Sequence, residues 1–515
     1  MGLSVTLSDS RAQAAIQARR FGVPPAMIEA ATQRRLAGDW RGACAAADVD
    51  LHLNPDAIRR RHGADVAGQL LADLRSLAPD LLRWHMPRWR HGSGQLLEGL
   101  LIPLADYTAT PATLTLAAAT PRFAVVAGQR IVLVVAENVR RRDRDQQDPG
   151  TRAVFDGVHR RSGERHSLRR HRMFWDADAA PGLASIAGAD DAAAGAREIT
   201  RLQDTGQAPA AWAAAGIDMA SGRHRPVSPD RQGHLTRWLA TVPVNLPLLA
   251  HQVRQTLPGA GQAVIRPGGG AIVLRGLDRP DGAVSADVVA PAAARSDLPV
   301  VPEAAWARPV DADLLRLGLL RPHELHPLVA AALAPRTAVR ADSGRHDWLY
   351  AAVPGIEAEC AHDPGSTAVV IHCGSQRHRV AQRGGRWEPV DHGAHPARET
   401  LIARLGGPLN PCLQAADYLS AGQHVIDLVE HLMEHGRTGE ALRLLREHAD
   451  ASAAPEAFVL HDGTLGEALS SLREKTLRLR MILSGAALAP DTRDTHPPTP
   501  NRRHSRKGEP ARQHR

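Results

Sequence analysis

Lysine is almost absent from this chain of 515 residues: Lys475 and Lys507 stand alone among 63 basic side chains, and the rest are arginine. So lopsided a ratio, beside abundant alanine, glycine and proline, is what GC-rich codons produce. It points to a GC-rich bacterial source and lowers the functional weight of any single arginine cluster. Cysteine is nearly as scarce. Cys44, Cys360, Cys373 and Cys412 are the only four, too few for a disulfide scaffold, and none forms C-x-x-C, so a reducing, cytoplasmic compartment is expected. Aromatic residues make up only 3%, which weighs against a base-stacking surface. No apolar run reaches the length of about 18 residues that a membrane helix needs, so no membrane partner is expected. The opening MGLSVTLSDSRAQ has no basic stretch followed by an apolar one, so no signal peptide is expected. There is no P-loop, no G-x-S-x-G, no kinase set and no Rossmann fingerprint, and Gly268-Gly269-Gly270 leads into a strand rather than a helix. No cofactor is implied.

What the chain does have is 43% hydrophobic residues, 23% charged residues and a net charge of +8, the profile of an ordinary folded protein of several domains. Residues 1–97 read as helical. Asn54-Pro55-Asp56 is a cap-and-start signal, and Val66, Leu70, Leu71, Leu74 and Leu77 form one helical stripe. Residues 98–230 read as α+β, with Ile131 to Val135 as a buried strand paired with Phe123 to Val126, a basic segment at 139–172 and an Ala-rich helical stretch at 190–215. Residues 231–278 form a small α+β region in which Val264 to Leu274 is strand, turn, strand. Residues 279–310, rich in proline and alanine, are expected as a linker. Residues 311–400 are α+β and 401–488 helical. Residues 489–515 carry seven positive and three negative charges with almost no large apolar group, a disordered basic tail. The expected class is therefore α+β, with mixed α/β as the alternative: helical ends flanking two small sheet-containing regions.

One internal similarity stands out. GRTGEALRLLRE at 436–447 and GTLGEALSSLRE at 463–474 agree at eight of twelve positions, 27 residues apart. Gly38-Asp39-Trp40-Arg41-Gly42-Ala43 repeats the skeleton of Gly with Ala five residues on. Glycine ends one helix in a tight turn, and the small alanine lets the next pack close. The pattern resembles the inter-helix turn of a tetratricopeptide hairpin over about a dozen residues. It departs from that family in its spacing, which there is about 34, and in lacking the signature of the first helix.

Two constellations could carry chemistry. His431-Leu432-Met433-Glu434-His435 matches H-x-x-E-H: on a helix His431 and His435 share a face and could reach one zinc ion, with Glu434 as base. With 26 histidines in the chain, a solvated helix face is the plainer reading. Residues 159–172, HRRSGERHSLRRHR, gather Arg160, Arg161, Arg165, Arg169, Arg170 and Arg172, a phosphate-binding patch with Phe174 and Trp175 positioned to stack on a base. A third group, Cys360, His362, His372 and Cys373, is too divided between strand faces for zinc. Together these observations lead to a non-catalytic adaptor acting on a protein partner. The alternatives are a nucleic-acid-binding protein using 159–172 and a zinc-dependent hydrolase using His431, Glu434 and His435.

Overall fold

The computed structural model describes residues 7–335 and 358–451, apart from the stretches 91, 110–111, 138–153, 155–163, 188–193, 220–228, 280–281, 292–293, 296, 361–368, 374–375, 384–385, 392–410 and 421–422. The chain divides into two units, 1–450 and 451–515. The basic tail and the 463–474 repeat lie outside the described residues.

The N-terminal helices are α1 (Asp9–Gly22), α2 (Pro25–Leu36) and α3 (Trp40–Ala46), followed by strand β1 (Val49–His52). Helices α4 (Pro55–His62), α5 (Ala64–Ser76) and α6 (Pro79–His85) come next. Asn54 caps α4 as its sequence implies, its side chain accepting from the backbone N–H of Asp56 and Ala57 at 3.0 and 3.2 Å. The α5 stripe faces inward, with Val66, Leu70, Leu74 and Leu77 buried. Strands β2 (Leu100–Ala109) and β3 (Ala112–Thr120), helix α7 (Arg122–Gly128) and strand β4 (Ile131–Glu137) complete a sheet of order β1-β4-β3-β2. Its first pair is parallel, Val49 opposite Ile131, and the others are antiparallel. After α8 (Leu183–Ala187), the chain forms α9 (Ala194–Asp204), α10 (Ala208–Ala214), β5 (Ile217–Met219), α11 (Pro229–Ala240), α12 (Leu249–Thr256), β6 (Gln262–Ile265), β7 (Ala271–Arg275) and β8 (Val284–Val289). The second sheet runs β5-β8-β7-β6, again with one parallel pair, Ile217 opposite Val284.

These two stretches are copies of one design. Gly38 and Gly206 sit in left-handed turns with φ of 79° and 77°. Each closes its helix with the same pair of backbone hydrogen bonds: Gly38 N–H to Arg35 and Asp39 N–H to Arg34, then Gly206 N–H to Gln203 and Gln207 N–H to Leu202. Five residues on, Ala43 and Ala211 are wholly buried where the paired helices meet. Ten residues on, Asp48 and Gly216 again take positive φ, at 54° and 72°, and turn the chain into β1 and β5. Val49-Asp50-Leu51 then matches Ile217-Asp218-Met219. The correspondence extends to two buried tryptophans. The Trp175 carbonyl accepts from Ala78 N–H at 2.9 Å and the Trp306 carbonyl from Asn245 N–H at 2.7 Å, each beside an isolated antiparallel bridge.

The remainder comprises α13 (Glu303–Trp306), α14 (Val310–Arg316), α15 (Pro327–Leu333), a wholly antiparallel third sheet and three helices. The sheet has order β12-β11-β10-β9, from β9 (Ala358–Cys360), β10 (Val369–Cys373), β11 (Gln376–Arg383) and β12 (Arg386–Pro389). The helices are α16 (Pro411–Ser420), α17 (Gln423–Glu434) and α18 (Thr438–Ala451). The fold is α+β, with three small sheets among the described residues rather than two.

The structure differs from the sequence expectation in three places. Residues 123–126 are not a strand but the body of α7: Pro121 ends β3 and opens the helix, and Ala124 and Val125 turn inward while Phe123 and Val126 face out. Residues 279–310 are not simply a linker, because they hold β8 and α13 together with the wholly buried Val301 and Trp306. Proline punctuates elements there: Pro302 and Pro309 stand immediately before α13 and α14. No boundary falls at 97/98, since β1 from the helical stretch pairs with β4.

Candidate functional site

Of the arginines of 159–172, Arg165, Arg169 and Arg172 are drawn into the fold. Arg160 and Arg161 lie outside the described residues. Arg169 pairs with Asp106 at 2.8 Å and Glu164 at 3.1 Å. Arg172 reaches Asp73 at 2.7 Å and Asp176 at 2.6 Å, and its guanidinium lies 4.4 Å from the centre of the Trp175 ring. Its carboxylate partners hold Arg172 above its ordinary value against the opposing effect of burial. Arg170 is exposed. Phe174 and Trp175 are buried, Trp175 completely, so neither presents a stacking surface for a base. The signal that could have shown this is the acidic partner set, Asp73, Asp106 and Asp176, spread over a hundred residues and joined only by the fold.

Helix α17 brings His431 and His435 against Phe21 of α1. The His431 ring meets Phe21 edge-on with centroids 4.9 Å apart, and its Nε2 lies 3.1 Å from Gln17 Nε2. Glu434 Oε2 is 3.7 Å from His431 Nδ1. His435 is 2% exposed and stacks on Phe21 at 6.1 Å. Burial, reinforced by Arg88 and Arg83, holds its imidazole well below the ordinary histidine range and therefore neutral. The backbone of Ser93 lies beside the ring without completing a well-aligned hydrogen bond. Among the described residues no three histidine, cysteine, aspartate or glutamate side chains converge to hold a metal ion, and His431, Glu434 and His435 are no exception. Cys360 and Cys373 lie on neighbouring strands but far apart in register, opposite Val369 and Gln376 respectively, and His362 is outside the described residues.

The denser polar groups lie where the first copy meets the segment after the second. Asp311 of α14 accepts from Arg19 at 2.9 and 3.3 Å and from Trp84 Nε1 at 3.0 Å, all buried. Asp80 and His326, each 1% exposed, meet at 2.9 Å. Glu303 of α13 receives Arg90 at 2.6 Å, with His166 Nδ1 at 3.4 Å. Beside β5 an open groove of about 420 Å³ is lined by Pro209, Ala213, Gly216, Ile217, Asp218 and Met219. Its single carboxylate offers no paired acid and base. No helix among the described residues is long and apolar enough to cross a membrane. No protein-family model, curated protein or solved structure matches the chain.

Proposed function

We propose that the chain is a non-catalytic bacterial adaptor that works in the cytoplasm by binding a protein partner. The observation behind this reading is the duplicated design itself: one helix-turn-helix and sheet unit used twice, a construction that multiplies surface rather than building one reaction centre. The engagement of Arg169 and Arg172 with carboxylates supports a protein rather than a nucleic-acid partner. Phe123 and Val126, 56% and 69% exposed on α7, add apolar surface of the sort that interfaces use. Affinity purification of the full chain from its native host tests the proposal. One protein recovered in stoichiometric amount, resistant to nuclease and high salt, is the expected result. Co-purifying nucleic acid released by salt, or near-stoichiometric zinc lost in a His431→Ala/His435→Ala variant, would overturn it.

A further inference from the structure

Glu303 is one carboxylate among several cations. Arg90 donates to it at 2.6 Å, His166 Nδ1 lies 3.4 Å from its other oxygen, and the Arg165 and Arg11 guanidiniums act on it from further out. The four basic residues come from three separate stretches: α1, the loop after α6 and the turn at 164–166, and burial, with Arg165 and Arg90, brings His166 below its ordinary value despite Glu303. The neighbouring acids are engaged elsewhere, Asp313 by Arg308 and Arg316 and Glu164 by Arg169. Arg165 Nε is buried with no hydrogen-bond partner. Burial lowers Arg165 from its ordinary value, and Arg90 lowers it further despite the opposing pull of Glu303. Burial and Arg90 also bring Arg11 down to about 10, against the pull of Glu303 and Asp313. Arg90 and Arg165 alone carry more positive charge than Glu303 balances. The site is also reachable, because the side chains of Arg90 and Glu303 keep 34% and 28% of their exposure.

We propose that Arg90, Arg165 and His166, flanked by Arg11, form a binding site for a small phosphate-type oxyanion, with Glu303 as the internal carboxylate that competes for it. Guanidinium groups present paired N–H donors that match a tetrahedral oxyanion, and an anion here would supply the acceptor that Arg165 Nε lacks. The proposal stands apart from the adaptor reading, since a protein partner could dock with this site filled or empty.

The test uses the full chain in thermal melts and calorimetric titrations with inorganic phosphate, against chloride at equal ionic strength. Phosphate should raise the melting temperature saturably. Arg165→Gln should weaken binding by about tenfold, as expected for loss of a charge-assisted hydrogen bond, and Glu303→Gln should tighten it by removing the competitor. Arg90→Gln is the second weakening variant should Arg165→Gln fail to fold. A titration with phenyl phosphate separates the sources of the anion: equal affinity assigns the site to the phosphoryl group of a larger molecule, and preference for inorganic phosphate assigns it to the free ion. Equal melting in phosphate and chloride, binding indifferent to Arg165→Gln, or weaker binding in Glu303→Gln would each overturn the proposal.

Discussion

Gly38 and Gly436 share a left-handed backbone, with φ of 79° and 77°, but not the same surroundings. A Cβ built on Gly38 meets nothing within 4 Å, whereas one on Gly436 falls 2.5 Å from the carbonyl oxygen of Gly128. Gly38→Ala should therefore cost about 1 kcal/mol from strain alone. Gly436→Ala should cost clearly more, because backbone must move, and chemical denaturation of the two variants side by side measures the difference. Equal costs would mean that the second turn is not seated on α7. Histidine sets a further expectation. Burial brings His171 down to about 4 and His85 down to about 3, with Arg170 adding to the first and Asp311 opposing the second. Both imidazoles stay neutral in the folded chain while the unfolded chain takes up protons below about 6.5. Stability should be level above that pH and fall as the solution is acidified through the window down to about 4. His171→Gln should flatten the fall, as melting temperature against pH will show.

Elements were legible where local pattern and tertiary role agree. The run Ile131 to Val135 lies within β4, buried in the sheet, and Val264 to Leu274 is the β6–β7 hairpin with its glycine turn. The turn at Gly436 forms as its spacing implies, with Ala441 1% exposed at the start of α18. Ala441→Leu should cost about 1–3 kcal/mol by overpacking, and a silent result would place the residue at a loose surface. Legibility failed at α7, where the apolar run Phe123 to Val126 fits either state and the preceding proline decides. It failed for the Glu303 cluster because Arg11, Arg90, His166 and Glu303 are far apart in sequence, and charge partners at such separation leave no periodicity to read. Gly206 and Ala211 also went unread. Gln207 and Ala208 replace the Asp-aromatic pair of Gly38-Asp39-Trp40, so only the glycine and alanine positions carry the repeat.

At the scale of the whole molecule, buried charge links the first copy to the segment after the second. Arg19 and Asp311 are 7% and 3% exposed, and Asp311 also takes the Trp84 N–H. Asp311→Asn would leave Arg19 buried without a countercharge, at a cost of about 3–5 kcal/mol. Wild-type chain should melt in one transition over this unit, and the variant should show the two copies separating into two steps by calorimetry. A single step merely shifted to lower temperature would show that apolar packing, not the ion pair, couples them.

The parallel pairing of β1 with β4 also governs the order in which the chain can acquire structure on the ribosome. Strand β1 is made early but its sheet partner among the described residues begins at Ile131, so the first sheet must wait for its own last strand. Strand β5 waits in the same way for Val284. Each copy is thus a closed reading interval: neither sheet borrows a strand from the other, and the first can be complete before the second has left the exit tunnel. Translation would then proceed through two successive pulls on the nascent chain, one after β4 emerges and one after β8, which stalling-sequence force profiles can register as separate peaks.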